Sequence, residues 1–466
     1  MPTSAAVEAA NLAAVFKAYD VRGTVPDQID EELALRVGRA FVEVTQAPAV
    51  VVGHDMRPSS PGLADAFARG AVSAGADVTM IGLASTDQLY FASGFLGLAG
   101  AMFTASHNPA AYNGIKLCRS YARPVGMDTG LAEIRDRVEA GGEAAGITPG
   151  SITEKDVLEE YAAHLLGLAP VTGRRLKVVA DAGNAMAGHT APAVLGRIAD
   201  VVDLVPLYFE LDGTFPNHDA NPLDESTLVD LQAAVVSEGA DVGLAFDGDA
   251  DRCFLVDETG AVVSPSAVTA LIATRELAKE PGATIIHNLI TSRSVPEIVR
   301  EHGGTPVRTK VGHSGIKARM AETDAIFGGE HSGHFYFRDF WRADSGMLAA
   351  LHVLGALAAQ SRPLSQLMAE FDRYVASGEI NSVVADVPVV LDRIRGRYAD
   401  RDGVELDELD GLSGTHDGWG FNVRPSNTEP LLRLNCEGRD RATMERVRDD
   451  LLTIIRSDTT TPRSAP

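Results

Sequence analysis

The stretch Thr104-Ala105-Ser106-His107-Asn108-Pro109 sets a serine beside a histidine on a loop closed by Asn-Pro. Those are the makings of a covalent nucleophile or phosphate carrier. Taken by itself the hexapeptide also reads as an ordinary turn, since Ser, Asn and Pro are turn residues. Three distant loops change the balance. Asp247-Gly248-Asp249-Ala250-Asp251-Arg252 offers three carboxylates at alternate positions. Gly328-Gly329-Glu330-His331-Ser332-Gly333-His334 offers a polar recognition loop, and Arg424-Pro425-Ser426-Asn427-Thr428 surrounds an arginine with short donors. Four such loops spread over one chain call for a single cleft.

Outward from the serine, the chain has the rhythm of a βαβ layer. Leu33, Val37, Phe41 and Val44 fall near helical spacing, residues 49–53 form a buried-type strand ending in His54-Asp55, and a second strand covers 78–82. Before them, Lys17-Ala18-Tyr19-Asp20-Val21-Arg22-Gly23 is a polar turn whose Arg22-Gly23 can reach an anion. Downstream, Tyr112-Asn113-Gly114-Ile115-Lys116 brings a lysine ten residues past Ser106, and Leu131, Ile134 and Val138 mark another helix. The Gly-rich stretch 141–151 sets a first boundary, giving a domain over residues 1–150.

The same pattern recurs. A helix over 157–168, the strand Lys177-Val178-Val179-Ala180 running into Asp181-Ala182-Gly183-Asn184, a turn-rich insertion at 211–217 and a helix over 228–237 lead to the strand 241–246. That strand delivers the Asp loop, and 253–257 leaves it as another, so a second domain spans 151–262. Ser264-Pro265 opens a third, 263–376, with an N-cap and a proline at the first helical position. It holds a strand at 284–288, Thr291-Ser292-Arg293 before a helix, and the small-residue loop 309–315. Three α/β units with loops at equivalent strand ends suggest an internal repeat, and ligands of such layers bind beyond the carboxyl ends of strands. The fourth unit, 377–466, carries strands at 419–423 and 431–436 and a final helix with Met444, Val447, Leu451 and Ile454 on one face.

Composition limits the options. A chain of 466 residues exceeds one core. With 45% hydrophobic and 23% charged residues it is globular, and no apolar run is long enough to span a bilayer. The first residues lack the regions of a signal peptide. Three scattered cysteines argue against a disulfide framework and for a reducing cytoplasm. A formal charge of −23 disfavours nucleic acid and anionic membranes as partners. A phosphate-ester substrate therefore needs local cations, and Arg22, Lys116, Arg252, Lys310 and Arg424 all stand in or beside the polar loops.

In an extended segment Asp247, Asp249 and Asp251 share one side, so three hard oxygens can converge on Mg²⁺ or a similar cation. An EF-hand is a rival, with Glu258 at its twelfth position, but Arg252 stands where that loop needs glycine and the flanks read as strands. The remaining alternative is a solvated acidic turn. A phosphorylated Ser106 would fill an open position on the cation. His107 and Lys116 are partners for that phosphate or for proton transfer. Glu330, Ser332 and His334 supply acceptors and donors suited to sugar hydroxyls. Arg424, Ser426, Asn427 and Thr428 match a phosphate dianion, or else form a strand-to-strand turn.

Together these loops resemble, in order, the four signature loops of the α-D-phosphohexomutases. The resemblance extends to residues 19–23, 181–184 and 310–313, and so covers nearly the whole chain. It implies an α/β fold of four domains around a central cleft: three similar α/β mixed-sheet units and a smaller, mobile C-terminal α+β domain. It implies that Ser106 carries a phosphoryl group and joins Asp247, Asp249 and Asp251 in holding Mg²⁺. A hexose 1- or 6-phosphate would become a bound bisphosphate that turns over and returns its other phosphate to Ser106, with glucose 1,6-bisphosphate or mannose 1,6-bisphosphate as activator. Arg424, Ser426, Asn427 and Thr428 would hold the non-reacting phosphate, and Glu330 and Ser332 the sugar hydroxyls. Tyr19, Arg22, Lys310 and His313 would join the substrate site. Lys116, His107, Arg252, Lys310 and His334 are candidates for acid–base and electrostatic roles. Residues 329–334 resemble the bacterial phosphomannomutase and dual phosphomannomutase/phosphoglucomutase pattern, which implies interconversion of mannose 6-phosphate and mannose 1-phosphate and a place before GDP-mannose. Phosphoglucosamine mutase, a metal-dependent phosphatase and a sugar-phosphate binding protein on the same scaffold are the alternatives.

Overall fold

A computed structural model describes residues 11–142, 146–426 and 431–458. Its strands form one seven-stranded and three five-stranded sheets. The first three share a plan. A central strand (Ala49–His54, Leu176–Asp181 or Thr284–Asn288) lies between two parallel neighbours. On one side these are Asp77–Leu83, Val202–Leu207 and Thr305–Thr309; on the other, Ala99–Phe103, Val242–Phe246 and Phe327–Gly329. Each strand of the latter set then turns back into an antiparallel partner: Tyr112–Arg119, Cys253–Asp257 and Phe335–Phe337. The three turns so made carry Ser106, Asp247 to Asp251, and Glu330 to His334. The expected repeat therefore places three of the polar loops at one topological position, beyond the carboxyl end of the third parallel strand.

The fourth sheet is antiparallel throughout, in the order Val375–Val383, Leu431–Gly438, Trp419–Pro425, Leu412–His416, Glu405–Asp407. Helices Val387–Tyr398 and Arg441–Ile455 complete the unit. One apolar core joins the first three units and includes Val51, Phe91, Tyr161, Val178, Leu244, Ile272 and Leu351, while the other face of the first sheet has a separate core with Val37, Phe41 and Phe67. The fourth keeps its own, built on Val390, Tyr398, Phe421, Leu434 and Leu451. No described helix is long and apolar enough to cross a membrane.

Several details depart from the sequence reading. Strand Ile152–Glu154 pairs with Asp77–Leu83, so the first sheet continues past residue 150; a Gly-rich stretch marks a loop without saying which sheet takes the next strand. Strand Val375–Val383 likewise runs through residues 376 and 377. The loop at 309–315 ends early, because helix His313–Thr323 begins inside it and is anchored by buried Ile316 and Met320. Ser264 holds the N-cap position of Pro265–Lys279 without a side-chain capping bond. In the last helix Ile455, not Ile454, is the fully buried residue.

Candidate active site

Ser106 is buried, and its φ of 51° is a left-handed conformation disfavoured for a side chain with a Cβ. Its N–H donates to Thr104 Oγ1 at 2.9 Å. Its Oγ donates to Asp247 Oδ2 at 2.8 Å, accepts from Arg252 Nη2 at 3.3 Å and lies 3.3 Å from His107 Nδ1. The Asp loop approaches this closely because residue 248 is glycine: a Cβ there would sit 2.3 Å from the Ser106 carbonyl oxygen.

Arg252 is itself buried, donating from Nε to Asp247 Oδ2 at 2.9 Å and from Nη2 to His107 Nδ1 at 2.5 Å. Lys116 Nζ bridges Asp249 Oδ2 and Asp251 Oδ2, each at 2.6 Å. Thr86, at the start of helix Thr86–Leu96, donates its hydroxyl to Asp249 Oδ2 at 2.5 Å. Oxygens of Asp247, Asp249 and Asp251 lie within 4.8 Å of one another. Asp249 Oδ1 and Asp251 Oδ1 are buried without a hydrogen-bond partner among the described residues. Two orphaned carboxylate oxygens in an all-oxygen set are what a hard divalent cation would satisfy.

Charge and burial set the protonation states. Burial pushes Asp247 up to about 7, Asp249 and Asp251 adding to it and Arg252 opposing. Burial also works against Asp249, yet Lys116 and the hydrogen bonds to Oδ2 hold it below the usual carboxylate range. Burial pushes His107 down to about 3, helped by the Arg252 and Arg22 guanidiniums. It pushes His334 down to about 4 despite Asp251. Both imidazoles are therefore neutral near pH 7.

The loop from Glu330 to His334 faces the same cluster. His334 Nε2 is 3.7 Å from Asp251 Oδ1, and its Nδ1 is 3.0 Å from Ser332 Oγ. Glu330 is already engaged: Oε2 accepts from Tyr336 Oη at 2.7 Å and Oε1 from Asn288 Nδ2 at 3.2 Å. Arg22 reaches the serine loop through Asn108 Oδ1 at 3.0 Å. Tyr19 lies against the third unit, since a Cβ on Gly312 would be 2.8 Å from its hydroxyl. Lys310 is exposed.

Arg424 is buried and donates to Glu379 Oε2 at 3.1 Å; Arg433, which the sequence reading passed over, pairs with Glu379 Oε1 at 3.3 Å and donates to Ser426 Oγ at 3.1 Å. No hydrogen bond or ion pair joins Arg424 or Lys310 to the Ser106 cluster among the described residues. Asn427, Thr428 and the His313 side chain lie outside what the structure describes. Arg57 was also passed over, although it follows a strand end, the place where ligand-side residues of this layer collect.

Between helix Ser294–Glu301 and the fourth sheet lies a cavity of about 340 Å³, lined by His287, Arg293, His331, Tyr374, Asn422 and Glu437 among others. It includes none of the residues around Ser106. Here Glu437 accepts from Ser292 Oγ at 2.7 Å and Arg293 N–H at 2.8 Å, while Arg293 donates to the carbonyl of Trp419 at 2.9 Å and to that of His416.

Models of the phosphoglucomutase/phosphomannomutase family match the chain in four pieces: alpha/beta/alpha domain I over residues 13–145, domain II over 159–260, domain III over 264–374 and the C-terminal domain over 379–454. A phosphomannomutase of Escherichia coli is 41% identical over 452 residues, covering 95% of this chain and 99% of that one. Phosphohexose mutases of Xanthomonas campestris pv. campestris are 41% identical over 445 residues, with 95% and 99% covered. The crystal structure of a phosphoglucomutase/phosphomannomutase family protein from Burkholderia thailandensis superposes with a TM-score of 0.87 at 33% identity, over 96% of this chain and 99% of that one.

Proposed function

The chain belongs to the phosphoglucomutase/phosphomannomutase family and is an isomerase of hexose phosphates, and we propose that it interconverts mannose 6-phosphate and mannose 1-phosphate through Ser106. The observation that carries the assignment of Ser106 is its buried hydroxyl, hydrogen-bonded to Asp247 and Arg252 beside two unpartnered carboxylate oxygens.

Phosphorylated Ser106 gives its phosphoryl group to the free hydroxyl at C1 or C6 of the bound monophosphate. The P–Oγ bond breaks as the P–O(sugar) bond forms, the attacking hydroxyl loses its proton to a nearby base, and the departing Ser106 Oγ takes up one proton from a neighbouring acid, so the net change is one proton moved from the sugar hydroxyl to Ser106. His334 and His107, both beside the cluster, are candidates for that base. The bisphosphate turns over, and Ser106 takes back the other phosphate. Arg252 and Lys116 offset charge that builds on the transferring group. Arg424 with Ser426, Asn427 and Thr428 holds the distant phosphate, Ser332 and Glu330 read the ring hydroxyls, and Tyr19, Arg22, Lys310 and His313 join the substrate site. Asp247, Asp249, Asp251 and a phosphoryl oxygen on Ser106 would hold Mg²⁺, which supplies electrostatic activation of the phosphorus.

All three thiols, Cys118, Cys253 and Cys436, are buried and unpaired, which supports a cytoplasmic protein whose mannose 1-phosphate feeds GDP-mannose synthesis. A second reading, dual use of mannose and glucose phosphates, is favoured by equal identity to phosphohexose mutases and to phosphomannomutase. A coupled assay with Mg²⁺ and catalytic glucose 1,6-bisphosphate decides, by comparing kcat/KM for mannose 1-phosphate and glucose 1-phosphate. Strong preference for mannose 1-phosphate is expected. Comparable values establish dual use, and undiminished activity in Ser106→Ala would sink the phosphoserine route.

A further inference from the structure

We propose that Arg57 is a positioning residue that sets the Ser106 loop for phosphoryl transfer, an inference that rests on Ser106 being the phosphoryl carrier. Arg57 is 1% exposed. Its Nη2 donates to the carbonyls of Ser106 at 2.9 Å and Asn108 at 2.7 Å, and its Nη1 to those of Pro109 and Tyr112, both at 2.9 Å. Nε donates to Asp55 Oδ2 at 3.2 Å. A guanidinium has five N–H donors in a rigid fork, and here each meets an acceptor. Three of those acceptors belong to the loop that carries the nucleophile, and the fourth, Tyr112, opens the strand that follows it.

Asp55 is fixed in turn, accepting from the Arg57 N–H at 3.0 Å and from Ser60 Oγ at 2.5 Å. The insertion at 211–217, which the chemistry above leaves without a role, completes the clamp from the second unit. Phe215 covers the guanidinium at 5.1 Å from ring centroid to Cζ. The insertion comes this near because residue 213 is glycine, whose Cβ would lie 2.7 Å from Arg57 Cα. The clamp therefore spans the same two units as the Ser106–Asp247 hydrogen bond.

The geometry links Arg57 to chemistry through one peptide plane. Ser106 sits in a left-handed conformation that a free loop would abandon. Holding its carbonyl on Arg57 fixes the plane that follows Cα, and with it the direction of the Cα–Cβ bond that aims Oγ at Asp247. A buried lysine offers three donors from a point charge and cannot hold four carbonyls and a carboxylate at once.

The test uses full-length protein phosphorylated with glucose 1,6-bisphosphate, with phosphoserine counted by intact mass. Arg57→Lys and Arg57→Gln are compared with wild type for kcat, for KM toward mannose 1-phosphate, and for the fraction of phosphoryl groups lost to water instead of reaching the sugar. The expected result is a fall in kcat of about 100-fold, little change in KM, and a shift of that fraction toward water. The fraction is counted per phosphorylated enzyme, so partial unfolding does not alter it. Wild-type kcat and an unchanged fraction in Arg57→Lys overturn the inference. Should neither arginine variant fold, Phe215→Leu, which keeps the guanidinium but uncovers it, must show the same shift toward water or the inference falls. If wild type isomerises through phosphoserine and Arg57→Lys matches it, only the Arg57 inference fails. If wild type takes up no phosphoryl group on Ser106, the phosphoserine reading fails and takes this one with it.

Discussion

Lys116 holds two of the carboxylates that would bind a divalent cation, so that the two should compete, which makes Lys116→Met the most informative single change. The ammonium lies 2.6 Å from both Asp249 Oδ2 and Asp251 Oδ2, with 16% of its side chain exposed. At an effective dielectric constant of about 20, each contact is worth roughly 6 kcal/mol of Coulomb energy. Desolvation of the ammonium and the carboxylates consumes much of that, and removing one partner of a buried pair typically costs about 3–5 kcal/mol. Metal-free Lys116→Met is therefore expected to be less stable than wild type by about 3–5 kcal/mol. Mg²⁺ should recover a larger share of stability in the variant, because it no longer meets a resident cation. Unfolding followed in EDTA and in saturating Mg²⁺, for both proteins, gives the difference, and calorimetric titration gives the affinity. Weaker Mg²⁺ binding to the variant, or equal EDTA sensitivity of the two proteins, would refute the competition; Lys116 would then be an organiser of the metal site, not a stand-in for the metal.

Two further changes probe the surroundings. Asp87 is buried and accepts hydroxyls from Tyr161 at 2.7 Å, Ser345 at 2.6 Å and Ser85, and burial pushes it from 3.8 up to about 6. The folded state thus favours the protonated acid, so this stabilising contribution is whole below pH 3.8 and is lost as pH rises through about 6. Asp87→Asn should gain about 3 kcal/mol relative to wild type between acid and slightly alkaline pH, and a difference independent of pH in urea unfolding would contradict this. Gly248→Ala puts a methyl group 2.3 Å from the Ser106 carbonyl oxygen. It should cost about 1–3 kcal/mol and most of the isomerase activity in a protein that still folds, as melting curves and the coupled assay would show; normal turnover would mean the two loops need not touch.

The sequence made the loops legible and left their supports hidden, for a physical reason. Ser106, the alternate aspartates and the turn residues around Glu330 stand in short polar stretches between apolar runs, where side-chain chemistry is not confounded with packing. Arg433 and Glu379 are single charges with nothing local to mark them, Arg57 has only its place after a strand end, and the meaning of all three comes largely from carbonyls and charges far along the chain. Strand Ala99–Phe103 is short, small and apolar, and periodicity cannot separate such a run from a buried helix turn. Gly315 argued for a loop at 309–315, but buried Ile316 and Met320 supply the packing that makes residues 313–323 helical.

The division of apolar cores bears on how such a site opens and closes. A phosphoserine must be shielded from water during transfer yet must admit a phosphorylated sugar. The first three units share one core, so separating any of them would expose apolar surface. The fourth has its own core and turns a polar face, with Ser413, Thr415, Asn422, Asn435 and Glu437, toward the cavity at the third. Displacing it would cost chiefly hydrogen bonds that water can replace, such as those of Glu437 with Ser292 and Arg293. The same strand pair Trp419–Pro425 and Leu431–Gly438 carries Arg424 and Arg433. The piece least bound by apolar packing is therefore the piece that would grip the distant phosphate under the proposed function, so substrate binding itself could supply the free energy that brings it toward Ser106.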